Sequence, residues 1–209
     1  MSDNSTYKSA TELIADFANA SNREIFVQEF PYPAVVPMYG VRFTQKLILV
    51  KDNQNPDIYL IGFHDPKQFS ETEMVFGVFS FTDFPKDFNI LVRERNFTDF
   101  FNRSLKKNSL YSNFLLNNFS TVITGNSKDF FDKIFVYHNK TVQINQIVKE
   151  FLKSPDIFYF GINCINFDFI PPFKDKSYLG FYTTQKWITD PAKLELLFEK
   201  MRELKLLLY

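Results

Sequence analysis

Residues 46–63 read KLILVKDNQNPDIYLIGF, and this stretch decides the architecture. Two apolar runs, Lys46–Lys51 and Asp57–Phe63, flank Asp52-Asn53-Gln54-Asn55-Pro56. Those intervening residue types break strands and favour turns, so the pattern predicts a β-hairpin. Upstream, Glu24–Phe30 is a further strand-like run closed by Pro31-Tyr32-Pro33. Val35–Phe43 is interrupted by Pro37 and Gly40, as an edge strand or a bulge would be. Downstream, Met74–Phe81 and Phe88–Arg93 flank residues 82–87 and predict a second hairpin. Strands in succession with short polar turns make an antiparallel meander.

Helices bracket these strands. Ala10, Leu13, Ile14 and Phe17 recur at helical spacing and predict a short amphipathic helix starting near Thr6. Phe97, Phe100, Phe101, Leu105, Phe114 and Leu115 suggest one or two short helices over Asn96–Asn118. Phe119–Thr124 and Lys133–Tyr137 resume strand character, and Ile144, Ile147, Val148, Phe151 and Leu152 form a helical stripe ending before Pro155. Ile157–Ile162 and Ile165–Ile170 look like two strands turning near Asn163-Cys164, and Tyr178–Thr183 adds another. Asp190-Pro191 supplies an N-cap followed by proline at the first helical position. Leu194, Leu197, Phe198, Met201, Leu204 and Leu208 then share one face of a terminal helix. The pattern predicts an α+β fold: a mainly antiparallel sheet with helices packed on one side. One unit over 1–209 and a division into 1–95 (helix plus meander) and 120–209 (mixed half) both fit it.

A chain of 209 residues buries enough surface to need no disulfide or metal staple. Lys+Arg and Asp+Glu are 24 each, so the net charge is zero and the pI about 6.7. That balance argues against nucleic-acid binding, which needs an excess of cations over the phosphates, and against a basic membrane-surface protein. No apolar run approaches a membrane span, and the first residues, MSDNSTYKSATELIADF, lack the features of a secretory signal. Cys164 is the one cysteine. These features predict a cytoplasmic protein without disulfides. The 27 phenylalanines are read as codon bias of an AT-rich genome, against the alternative of stacking platforms for single strands.

Templates for chemistry are missing. No P-loop, no dinucleotide glycine turn, no H-E-x-x-H and no G-x-S-x-G occurs, so no cofactor, metal or catalytic residue is assigned. His64, beside Asp65, and His138 read as turn and boundary residues rather than a base or ligands. Cys164 reads as a small core or turn residue, since a nucleophilic thiol needs a cationic setting. The pairs Glu71/Glu73 and Asp129/Asp132, and the cluster Arg93-Glu94-Arg95, read as solvated charge. The densest aromatic neighbourhood holds Phe167, Phe169, Ile170-Pro171-Pro172-Phe173, Tyr178, Phe181, Tyr182 and Trp187. Exposed, Pro171, Pro172, Phe173 and Trp187 would anchor a partner. Buried, the neighbourhood is the second half of the core, and burial is the favoured alternative.

Phe131-Asp132-Lys133-Ile134-Phe135-Val136, followed by the segments 144–152, 157–170 and 194–208, resembles the pattern of an uncharacterised bacterial domain family. In that family a sheet region leads through an F-D-x-x-F-x-V-like segment to a helix, a strand pair and a terminal helix. Tyr39-Gly40-Val41-Arg42 is similar to its upstream glycine-containing strand. The resemblance implies no activity and carries over no functional residue. The functional expectation is therefore a non-enzymatic, protein-binding or scaffold role, with a sizeable exposed apolar patch. Two alternatives stand beside it. An immunity- or inhibitor-type protein would show a dense acidic face. A hydrolase-like enzyme would bring His64, His138 or Cys164 together with carboxylates in a cleft.

Overall fold

The computed structural model describes residues 8–31, 44–66, 74–94, 121–125 and 139–209. Within them the strands are β1 (Ile25–Pro31), β2 (Thr44–Lys51), β3 (Ile58–His64), β4 (Met74–Thr82), β5 (Ile90–Glu94), β6 (Thr121–Gly125), β7 (Tyr159–Ile162) and β8 (Ser177–Thr183). The helices are α1 (Ala10–Ala20), α2 (Thr141–Leu152) and α3 (Pro191–Leu208). The strands form one antiparallel sheet in the order β1-β2-β3-β4-β8-β7-β5-β6. The fold is α+β, with the three helices on one face of the sheet.

The first four strands are the expected meander. β2 and β3 make the hairpin, from Lys46 opposite His64 to Lys51 opposite Tyr59. Its turn is closed where the Asp52 amide donates to the Ile58 carbonyl and the Asn55 amide donates to Asp52 Oδ2. The second expected hairpin does not form. β4 pairs with β8, and β5 lies between β7 and β6. β8 takes the edge of β4 that the hairpin would need, and Asn163 holds the displaced connection, its Nδ2 donating to the carbonyls of Pro85 and Phe88 at 3.2 and 2.8 Å. Those bonds carry the loop after β4 across the ends of β8 and β7. Asn163 adopts φ 48°, a left-handed conformation that asparagine tolerates.

The expected strand over Ile165–Ile170 is likewise an irregular segment, ending in a 3-10 turn at Pro171–Phe173. It turns back on itself, the Ile170 amide donating to the Phe167 carbonyl and the Phe173 amide to the Ile170 carbonyl, both at 2.8 Å. α1 starts later than expected, because Ser9 and Glu12 form a reciprocal capping box. α2 and α3 begin and end as their patterns require, and Asp190 caps α3 by accepting from the Lys193 amide at 3.0 Å.

Strand alternation divides the side chains between two cores. On the helical face, Ile48, Val50, Leu60, Phe76, Val78, Phe160 and Phe181 pack under Ile14, Ile147, Leu194, Phe198 and Met201. On the opposite face, Leu47, Leu49, Ile61, Phe63, Phe79, Tyr178 and Tyr182 are covered by Ile165, Phe167, Ile170 and Phe173 from the irregular segment. That second core is largely aromatic. Phe79 meets Phe167 edge-on at 4.9 Å and stacks on Tyr182 at 5.9 Å. The aromatic neighbourhood read from the sequence is thus mainly interior. The strands expected at 35–43 and 133–137 and the helices expected at 96–118 lie outside the described residues, as does the F-D-x-x-F-x-V-like segment.

Candidate functional site

Phe173 is fully buried in the second core, and Trp187 packs partly buried against the first, on the other side of the sheet. Pro171, Pro172, Phe173 and Trp187 therefore do not form one surface. The proline pair reaches one hollow, with Pro171 exposed and Pro172 half-buried, whereas Trp187 lines a different one beside Lys46, His64 and Met74. Phe173 acts as the anchor that fixes the place of the prolines, its ring against Tyr59 at 5.5 Å and Phe81 at 4.8 Å.

The hollow beside the prolines is an open groove of about 550 Å³, lined by Glu24, Ile25, Phe26, Leu49, Lys51, Tyr59, Pro171 and Pro172. The pairing of Phe26 with Leu49 and of Lys51 with Tyr59 sets its floor. Its outer wall is β1, which ends the sheet among the described residues. β1 is apolar on both faces, with Phe26 46%, Val27 42% and Phe30 47% exposed. Two ion pairs flank the strand, Glu24 with Lys51 at 3.4 Å and Glu29 with Lys46 at 3.1 Å. An apolar trough beside an open strand edge suits the capture of a chain segment.

Among the described residues, the two weighed as a base and a nucleophile, His64 and Cys164, are not brought together. His64 ends β3 opposite Met74, whereas Cys164 follows Ile162, which lies level with Leu179 and Ser80 at the opposite end of the sheet. The six residue steps from Met74 to Ser80 span about 20 Å at ~3.3 Å each. Cys164 Sγ donates to the Ile90 carbonyl at 2.7 Å, and burial pushes its thiol up to about 12, far from the thiolate that nucleophilic attack needs. His138, Glu71, Glu73, Asp129, Asp132 and Arg95 lie outside the described residues. Among the described residues no three of His, Cys, Asp and Glu gather so as to hold a metal ion.

Other hollows carry compensated charge. One of about 590 Å³ mixes Asp57, Asp83 and Asp175 with Lys86, Lys176 and Lys205. Lys205 pairs with Asp57 at 2.5 Å and Lys86 with Asp168 at 2.9 Å. A smaller cleft of about 280 Å³ between α2 and α3 is lined by Phe151, Ile157, Leu196 and Leu197. At its rim Asp156 is held by Lys186 and Lys193 at 2.6 and 2.5 Å, and hydrogen bonds from both keep its carboxyl below the usual carboxylate range.

No family model, curated protein or solved structure matches the chain. No helix among the described residues is long and apolar enough to cross a membrane. The groove residues Phe26, Leu49 and Tyr59 were not singled out by sequence reasoning. A signal was present in Phe26 and Phe30, aromatic residues on one face of a strand that stops at a proline, which is how an edge strand reads.

Proposed function

We propose that this chain is a cytosolic, non-enzymatic protein-binding module that docks a partner protein along β1 and the groove beneath it. The observation that carries this reading is the coincidence of an apolar groove of about 550 Å³ with a sheet edge bearing exposed Phe26, Val27 and Phe30. Isolated exposed apolar side chains need no explanation, but a contiguous set on a strand edge does. The rigid proline pair and the buried Phe173 beneath it pre-form one wall, which lowers the ordering cost of binding. We likewise propose a likeness to an uncharacterised bacterial domain family, which adds no activity.

The test is capture of a partner from the native cell by the unaltered chain and by two variants. Phe26→Asp places a carboxylate in the groove, and Leu196→Asp does the same on the exposed face of α3. The partner recovered by the unaltered chain should persist with Leu196→Asp and disappear with Phe26→Asp. Retention by Phe26→Asp would remove the groove from the proposal.

A further inference from the structure

We infer that β1 accepts its partner by strand addition, and that the incoming segment is an extended, alternating apolar strand carrying basic residues. This inference rests on the proposed protein-binding role and specifies its mode. The Lys51 amide donates to the Glu24 carbonyl at 2.9 Å, which makes Glu24 and Lys51 a hydrogen-bonded pair of the antiparallel ladder. Such pairs recur at every second residue, so Phe26, Gln28 and Phe30 direct their backbone groups at β2. Ile25, Val27 and Glu29 consequently aim their N–H and C=O groups away from the sheet.

Pro31 fits the same alternation. It falls on the outward set, where its missing N–H removes no ladder bond, and it ends the run available to a partner. What remains is a short row of outward donors and acceptors flanked by Phe26 and Phe30 on one face and Val27 on the other. A β-strand is the structure whose own backbone satisfies such a row, and alternate apolar side chains would fill the groove.

Charge selects among strands. From Glu24 to Pro31 the charged side chains are Glu24 and Glu29, with no base among them. Their side chains are 81% and 45% exposed, and their pairs with Lys51 and Lys46 are of the surface kind that contributes little. A second copy of this chain would bring two further carboxylates into the same ribbon, and like charges across a ladder are destabilising. A strand bearing lysine or arginine would meet them favourably.

The probe is a short capped peptide of alternating valine and threonine with lysine at both ends, added to the full chain and followed by amide hydrogen exchange. Exchange should slow at Ile25, Val27 and Glu29 and stay unchanged at Phe26 and Gln28. The slowing should be lost when the peptide amides that would face β1 are N-methylated, and weakened when its lysines are replaced by glutamate. Unchanged exchange at saturating peptide, or equal binding of the N-methylated peptide, overturns strand addition. Concentration-dependent slowing without peptide assigns the edge to a second copy and equally overturns the basic-strand occupant. Loss of partner capture in Phe26→Asp reads the protein-binding role separately, so either statement can fail alone.

Discussion

Gly180 lies opposite Phe79 in the pairing of β4 with β8, and the Phe79 ring occupies the space a side chain at 180 would need. The glycine is there for that approach: its absent Cβ lets the ring lie across the strand and reach Phe167 and Tyr178. Gly180→Ala should push Phe79 off its rotamer at the centre of the second core. The expected loss is about 1–3 kcal/mol, the usual cost of overpacking, read as a lowered urea midpoint at unchanged slope. At Gly161 a Cβ would meet Cys164 Sγ at 3.1 Å and the edge of the Tyr182 ring at 3.2 Å. Gly161→Ala should therefore cost less than Gly180→Ala, and the reverse order would refute the packing account.

Elements are tied together by a charge cluster under the helices. Arg23, just beyond α1, is buried with its guanidinium 4.4 Å from the Phe198 ring centre of α3. Its Nη2 donates to Glu195 Oε1 at 2.8 Å and, more weakly, to Asp52 Oδ1 at 3.4 Å. Arg202 of α3 donates from Nη1 to both oxygens of Asp52, at 2.9 and 3.1 Å. One buried carboxylate in the β2–β3 turn thus serves α1 and α3 together. Asp52→Ala should cost about 3–5 kcal/mol, because it leaves Glu195 alone to compensate two guanidinium groups, Arg23 at 2.8 Å and Arg202 at 3.2 Å. Glu195 gives the pH signature. The hydrogen bond from Arg23, followed by its charge and then Arg202, holds the Glu195 carboxyl below its usual value of 4.5. Its contribution is complete above that value and is lost as pH falls through the lower folded-state value. The melting-temperature gap between the protein and Glu195→Gln should be widest near neutrality and close on acidification below pH 4.5. A constant gap from pH 7 to pH 3 would show that the charge is not what Glu195 supplies.

Legibility differed by element for physical reasons. α2, α3 and the β2–β3 hairpin were readable because their signals are local: a helical stripe, a cap with proline behind it, a turn of strand-breaking residues. The β4–β8 pairing was not, since nothing local in Met74–Phe81 says that its partner begins at Ser177. The polar knot of Asn163, which holds the displaced connection, joins residues 74 to 78 positions apart and has no periodic trace. The segment 165–170 carries enough β-branched and aromatic residues to resemble a strand, yet its apolar side chains serve as a lid on the second core. For the same reason the proline pair was visible as a candidate surface, whereas Phe26 and Tyr59, which complete the groove, come from distant stretches.

At the scale of the whole molecule the consequential feature is interleaving. β8 and β7 from the C-terminal third stand between β4 and β5 from the first half. A fragment of residues 1–95 retains the β1–β4 meander but loses β8 along most of β4, from Phe76 to Thr82. It also loses α3, whose Leu194, Leu197, Phe198 and Met201 cover Ile48, Val50, Leu60 and Val78. A sheet with one apolar face uncovered and a long open edge has no stable form in water. The complementary fragment, 120–209, keeps α2 and α3 but gives β7 no β5 and β8 no β4. Each fragment should therefore show poor amide dispersion alone, and mixing them should restore the dispersed spectrum of the intact chain. Joining pairs so far apart in sequence also requires closing long loops before their contacts form, so reassembly and refolding should both be slow. Cooperative unfolding of 1–95 by itself would show that the meander is an autonomous unit and that the interleaved strands are additions to it.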